Sequence, residues 1–212
     1  MLLGAWTPII NNPFTILDVG SGTGIVALML AQRSNANAID ALEIDAKSYE
    51  ECVENFENSP WNDRLFCYHA SWQEFMDDED EIDEYDLIVS NPPFYTEDLP
   101  STISAKHLAK FEASLPFESL IEGVAKILSS IGVFSVIIPF KEQEKLIDLA
   151  ENHDLFPFKI TNIKGNENAP FKRSLIAFSK TKQACETDEL ILEIERHQYT
   201  EAYKELTKDF YL

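Results

Sequence analysis

The sequence predicts a doubly wound α/β fold, a mostly parallel sheet of about seven strands with helices on both faces and an antiparallel hairpin at one edge. Three observations carry that expectation. Short β-rich runs alternate with helical patterns across residues 15–153. A glycine cluster stands where the first run gives way to the first helix. Residues 156–163 and 173–178 are β-rich, and the Gly165 to Pro170 loop between them leaves no room for a helix, so the two must pair antiparallel.

Taken in order, Met1-Leu2-Leu3-Gly4-Ala5-Trp6 is apolar and reads as the end of a helix or turn. Thr15-Ile16-Leu17-Asp18-Val19 is a strand, Gly20-Ser21-Gly22-Thr23-Gly24 a turn, and residues 25–33 a helix. Residues 38–42 form a second strand ending in Glu43-Ile44-Asp45, and a helix over 46–58 stops at Ser59-Pro60. Residues 64–69 alternate as a third strand, and Ser71 caps a short helix reaching Met76. The strand over 86–90 runs into Asn91-Pro92-Pro93-Phe94. A polar loop follows, then a segment that, if helical, puts Lys106 and Lys110 on one face. Residues 115–130 read as an amphipathic helix. The apolar run 133–138 suits a strand covered on both sides, and 142–153 a helix. Residues 190–194 fit one more edge strand and 200–211 a closing helix.

Composition narrows the function classes. The 212 residues carry a net charge of -20 and a pI near 4.4, which argues against indiscriminate adhesion to polyanions while leaving room for a local basic patch. The acids crowding Glu74 to Glu84 lack the glycine-punctuated spacing of a calcium loop and read as a solvated segment. Cys52, Cys67 and Cys185 are odd in number and match no Cys-x-x-Cys pattern, so they read as reduced, mostly buried thiols of a cytoplasmic protein. The four histidines share no metal-ligand spacing, and no metal site is expected. No apolar run is long enough to span a bilayer, so no membrane partner is expected.

Two stretches carry chemistry. Glycines in Asp18-x-Gly20-x-Gly22-x-Gly24 let a ligand approach the backbone, and the helix start behind them favours electronegative groups. The spacing is neither that of a dinucleotide-binding Gly-x-Gly-x-x-Gly nor that of a phosphate loop, and alone it is weak evidence for nucleotide-type binding over a merely tight turn. Glu43 adds to it. A carboxylate at the end of the second strand can accept both hydroxyls of an adenosine ribose, so the pair points to an adenosine-containing cofactor.

The Asn-Pro-Pro-Phe turn points to the reaction. The lone pair of an exocyclic adenine amine is delocalised into the ring and must be localised before a methyl group can be transferred. The side-chain oxygen of Asn91 and the carbonyl of Pro92 can each accept one N–H, and both stabilise positive charge as it develops. The prolines stiffen the turn, and Phe94 can stack on the base, a contact worth about 1–3 kcal/mol.

The glycine turn, the acidic end of the second strand and the Asn-Pro-Pro-aromatic turn resemble the Rossmann-like class I S-adenosylmethionine-dependent methyltransferases that modify exocyclic or amide nitrogens. More narrowly, Leu2-Leu3-Gly4-Ala5-Trp6, Asn58-Ser59-Pro60-Trp61, Ser90 to Phe94 and the tail from Tyr199 to Leu212 resemble the bacterial tRNA1(Val) adenine-N6 methyltransferases, over essentially the whole chain. The resemblance implies a single methyltransferase domain over residues 1–212. It implies transfer of a methyl group to N6 of adenosine 37, beside the anticodon of a valine tRNA, leaving S-adenosylhomocysteine. An unpaired loop base is cheaper to present than one flipped from a duplex.

Carried over residue by residue, the resemblance assigns Asp18, Gly20, Gly22, Glu43, Ile44, Ser71 and Asn91 to the cofactor. Asn91, Pro92 and Phe94 would act on the amine, with Pro93, Lys106 and Lys110 toward the RNA. Lys172 and Arg173 are further candidates for the RNA-facing patch. Three departures stand out. The family pattern has a further stretch before Leu-Leu-Gly-Ala-Trp, and this chain begins after it. Relatives often carry an Asp after the third strand where this chain reads Ala70-Ser71-Trp72, so Ser71 or nearby backbone would substitute. Phe94 replaces the commoner Tyr. A protein glutamine-amide methyltransferase would use the same turn, and a non-catalytic methyltransferase-like RNA-binding protein is the alternative from another class.

Overall fold

The strands of this chain are apolar on two faces at once, and the sheet they form is therefore covered on both sides. The computed structural model describes residues 1–77, 84–93 and 115–210. Along β1 (Thr15–Val19), Ile16 packs against one core cluster while Leu17 and Val19 pack against the other. In β4 (Tyr85–Ser90), Leu87 and Val89 face the first cluster and Ile88 the second. This period of two, with apolar residues in both phases, is the signature of a buried parallel strand.

The first cluster is closed by α1 (Leu2–Trp6), α2 (Ile25–Arg33) and α3 (Ala46–Glu57). The second is closed by α4 (Trp72–Asp77), α5 (Phe117–Ile127) and α6 (Gln143–Glu151). The remaining strands are β2 (Ala38–Glu43), β3 (Leu65–His69), β5 (Leu128–Pro139), β6 (Phe156–Lys164), β7 (Phe171–Ser179) and β8 (Glu186–Ile191). The sheet has eight strands in the order β3-β2-β1-β4-β5-β7-β6-β8. Strands β3 to β5 are parallel, and β7 runs antiparallel to both β5 and β6. The chain reverses direction across the sheet at β1 and β4, the place where ligands bind in open α/β folds.

Three boundaries differ from the sequence reading. The helix expected over 115–130 ends at Ile127, because Leu128 turns extended (φ -73°, ψ 131°) and opens β5, opposite Tyr85. Lys180 Nζ donates to the Leu128 carbonyl at 2.6 Å and the Ser129 hydroxyl to Asp86 at 2.8 Å, which hold these residues in the sheet. The edge strand expected over 190–194 begins earlier. β8 pairs parallel to β6 outside the hairpin, and a small ribbon of β9 (Glu193–Glu195) and β10 (Gln198–Tyr199) follows. The closing helix is short, α7 (Glu201–Thr207), capped by Thr200 Oγ1 accepting the Tyr203 N–H at 3.2 Å.

The opening residues do form a helix. Trp6 is buried and its indole N–H donates to Thr161 Oγ1 at 2.7 Å, tying α1 across the sheet to β6. The cysteines are less uniformly buried than expected: Cys52 is buried, Cys67 half-buried and Cys185 exposed. Cys52 and Cys67, distant in sequence, act on each other: Cys67 and burial push the Cys52 thiol up, while Cys52 pulls the Cys67 thiol down. Among the described residues no helix is long and apolar enough to cross a membrane, and no group of three His, Cys, Asp or Glu could hold a metal ion.

Candidate active site

The carboxyl ends of β1, β2, β3 and β4 surround a cleft of about 930 Å³, within the range of ligand pockets. β1 leads into the glycine turn, where Gly20, Gly22 and Gly24 have φ of 72°, 58° and 78°, left-handed values that L side chains rarely adopt. The amides of Gly20 and Ser21 both donate to the Leu42 carbonyl, at 3.0 and 2.9 Å, which clamps the turn to the end of β2. A Cβ on Gly20 or Gly22 would meet nothing within 4 Å, so the turn faces open space. Gly24 is different in kind. A Cβ there would lie 2.5 Å from Phe56 Cε1 and 2.7 Å from Cys52 Sγ, so this glycine lets α2 seat against α3.

Asp18 lies under the turn, 2% exposed, with Oδ2 accepting the Ala27 N–H at 3.1 Å near the start of α2. Burial pushes its carboxyl up to about 7, with the charge of Glu43 adding to the rise and the Ala27 N–H opposing it. Glu43 is 9% exposed. Its Oε2 accepts the Gly22 N–H at 2.7 Å and Oε1 the Asp45 N–H at 2.8 Å, so each oxygen keeps a lone pair for a further donor.

β3 delivers the third wall. His69 Nε2 lies 3.1 Å from the Ile44 carbonyl, and its ring stacks on Tyr49 with centroids 5.0 Å apart. Ser71 and Glu74 form a reciprocal capping box. Glu74 Oε2 accepts from the Ser71 N–H and hydroxyl, each at 2.8 Å, and Ser71 Oγ accepts the Glu74 N–H at 3.1 Å. These hydrogen bonds lower the pKa of Glu74. Trp72 stands next to them, its indole N–H donating to the Ser119 carbonyl of α5 at 3.0 Å.

β4 supplies the fourth wall. The Ser90 hydroxyl donates to the Val19 carbonyl at 2.9 Å and locks the end of β4 to that of β1. Beyond it Asn91 and Pro93 are exposed and Pro92 is buried.

Of the residues expected at the site, Gly20, Glu43, Ile44, Ser71, Asn91 and Pro93 line this one cleft. Asp18, Gly22 and Pro92 are not among its lining residues: Asp18 accepts the Ala27 N–H beneath the turn, the Gly22 N–H holds Glu43, and the ring of Pro92 is packed inside. Phe94, Lys106 and Lys110 lie outside the described residues. The sequence reading missed His69, Trp72, Glu74 and Leu115, which also line the cleft. Only Glu74 had a legible signal, the Ser-x-x-Glu spacing of a capping box.

The chain matches the methyltransferase small domain over residues 8–115. It is 56% identical over 212 residues to the tRNA1(Val) (adenine(37)-N6)-methyltransferase of Flavobacterium psychrophilum, covering all of this chain and 90% of that protein. The enzyme of the same name from Flavobacterium johnsoniae is 54% identical over 213 residues, with the same coverage. Among solved structures, protein Atu636 from Agrobacterium tumefaciens, described as a predicted O-methyltransferase, superposes with a TM-score of 0.73. That match covers 98% of this chain and 94% of the other at 18% identity, a likeness of fold. A full-length match at this identity, together with a cleft built from the glycine turn, Glu43 and Asn91, makes the chain a member of the tRNA1(Val) (adenine(37)-N6)-methyltransferase family within the methyltransferase small-domain proteins.

Proposed function

We propose that the chain transfers a methyl group from S-adenosylmethionine to N6 of adenosine 37 in tRNA1(Val). The observation that carries the reading is that Asn91 and Pro93, on the side of the amine, line the same cleft as Gly20 and Glu43, on the side of the cofactor. The residues fit the cofactor. The turn leaves open space above Gly20 and Gly22, and Glu43 is held by two backbone amides with acceptor capacity to spare for a ribose diol. Ile44, exposed on the cleft, offers an apolar surface to a base, while the Ser71 to Trp72 segment bounds the far side.

S-adenosylmethionine supplies an electrophilic methyl group on a sulfonium sulfur. The protein's part is to hold the adenine amine and make its nitrogen a better nucleophile. The Asn91 side-chain oxygen and the Pro92 carbonyl accept the two N–H groups, which localises the lone pair and stabilises the positive charge that grows on nitrogen during transfer. The methylated nitrogen is acidic enough to release its proton without a strong base. Pro92 and Pro93, which lack N–H donors and fix φ, keep the turn rigid.

The test is incubation of the protein with labelled S-adenosylmethionine and tRNA, followed by digestion to nucleosides. The expected outcome is N6-methyladenosine confined to position 37 of tRNA1(Val). Label at another base, or on a protein glutamine amide instead, would overturn the reading.

A further inference from the structure

We infer that the rim formed by Phe140, Phe171, Lys172 and Arg173 is the surface on which unpaired nucleotides flanking the target adenosine dock. The inference rests on the reading above and says where the RNA lies beyond the cleft. β5 continues parallel to β4, with Ser90 opposite Val136, and ends at Pro139 opposite Arg173 of β7. The rim is therefore on the same carboxyl edge as Asn91, one strand over at Phe140 and two strands over at Phe171 to Arg173, and roughly 10 Å farther along the strand direction.

Two aromatic rings stand at this edge. Phe140 and Phe171 pack with centroids 5.1 Å apart and planes inclined at 37°, and Phe140 is 37% exposed. The Lys164 ammonium lies 5.5 Å from the centre of the Phe171 ring. An exposed ring such as Phe140, backed by the half-buried Phe171 and bordered by cations, is what single-stranded nucleic acid binds: a base stacks on the ring and phosphates meet the cations.

Charge identifies the occupant as a polyanion. The chain has 37 acidic side chains against 17 Lys and Arg, so a cationic rim is out of character with the surface around it. Two of the acids beside it are held by cations, Glu142 by Lys141 at 3.6 Å and Glu189 by Lys164 at 3.3 Å. Lys172 and Arg173 are exposed and make no ion pair within 4 Å among the described residues. Phe140 and Phe171 carry no charge and fill little of the core, so their presence at the edge is accounted for by stacking.

The test is fluorescence anisotropy of a labelled tRNA1(Val) anticodon stem-loop with the full chain, across a salt series, with a blunt RNA duplex of equal length as comparison. Lys172→Glu with Arg173→Glu, both on the surface and unable to disturb the core, should weaken stem-loop binding at least tenfold and flatten the salt slope by about 1–2. Phe140→Ala should weaken the stem-loop about tenfold and the duplex hardly at all. Cofactor affinity, read by calorimetry, should stay unchanged in all variants. Wild-type affinity and salt slope in the charge-reversed variant, or equal loss of stem-loop and duplex in Phe140→Ala, would overturn the inference. If the wild-type chain binds the stem-loop without methylating its tRNA, the functional reading fails. Weakened binding by the charge-reversed variant would still support the surface in that case.

Discussion

Asp18 is a single carboxyl whose titration should be felt in the stability of the whole chain. Burial raises its pKa from 3.8 to about 7, so between those values the native state holds a proton that the unfolded chain has released. The stabilisation this group gives is full below the unfolded value and is lost as pH rises through 7. Three units correspond to about 4 kcal/mol as an order of magnitude. Asp18→Asn keeps an oxygen acceptor for the Ala27 N–H and abolishes the titration. Denaturant melts should therefore show the wild type losing ground to the variant from about pH 4 to pH 8, whereas parallel stability profiles would contradict the assignment. The glycines make a second contrast. Gly24→Ala meets both left-handed backbone strain and Phe56, and should cost about 2–4 kcal/mol. Gly22→Ala meets only the strain, about 1–2 kcal/mol, and should weaken cofactor binding more than it destabilises the fold. Equal stability losses would mean that Gly24 does not seat α2 against α3.

Among the elements, the pairing of α4 with α5 decides the shape of the cleft wall. α4 has only six residues and cannot hold itself by propensity. It is fixed by the Ser71–Glu74 box at its start and by Trp72, which is 4% exposed and reaches Ser119. Trp72 fits because α5 presents Gly123: a Cβ there would lie 2.4 Å from Trp72 Cζ2. Gly123→Ala should displace the indole and raise the KM for the cofactor several-fold, with a stability loss of about 1–3 kcal/mol. An unchanged KM would show that the wall tolerates its movement.

Over the whole molecule, the residues that announced the fold are those whose role is set by local chemistry. Strands such as Leu87-Ile88-Val89, apolar in both phases, could only be buried on both faces, and Gly20, Gly22 and Gly24 mark a left-handed turn that other residues resist. Asn91 and Glu43 were legible because strand ends in this topology meet at one edge. What escaped had no local signal. β8 begins Glu186-Thr187-Asp188-Glu189, a polar edge strand without apolar alternation, and its place is set by pairing to β6 and by Leu190, which is buried in the core. Leu128 continues the apolar pattern of α5, so periodicity could not place the switch from helix to strand. His69, Trp72 and Leu115 join the cleft through tertiary packing, which sequence spacing does not encode.

The claim that joins these scales is a division of labour within one cleft, with Glu43 and the glycine turn for the cofactor and Asn91 for the amine. The most direct test measures Asn91→Ala twice, for methyl transfer to tRNA and for cofactor affinity by calorimetry. Loss of the side-chain acceptor should slow transfer by roughly 10²- to 10³-fold and leave the cofactor Kd within about threefold of wild type. Transfer at the wild-type rate, or a cofactor Kd weakened in step with the rate, would contradict the division.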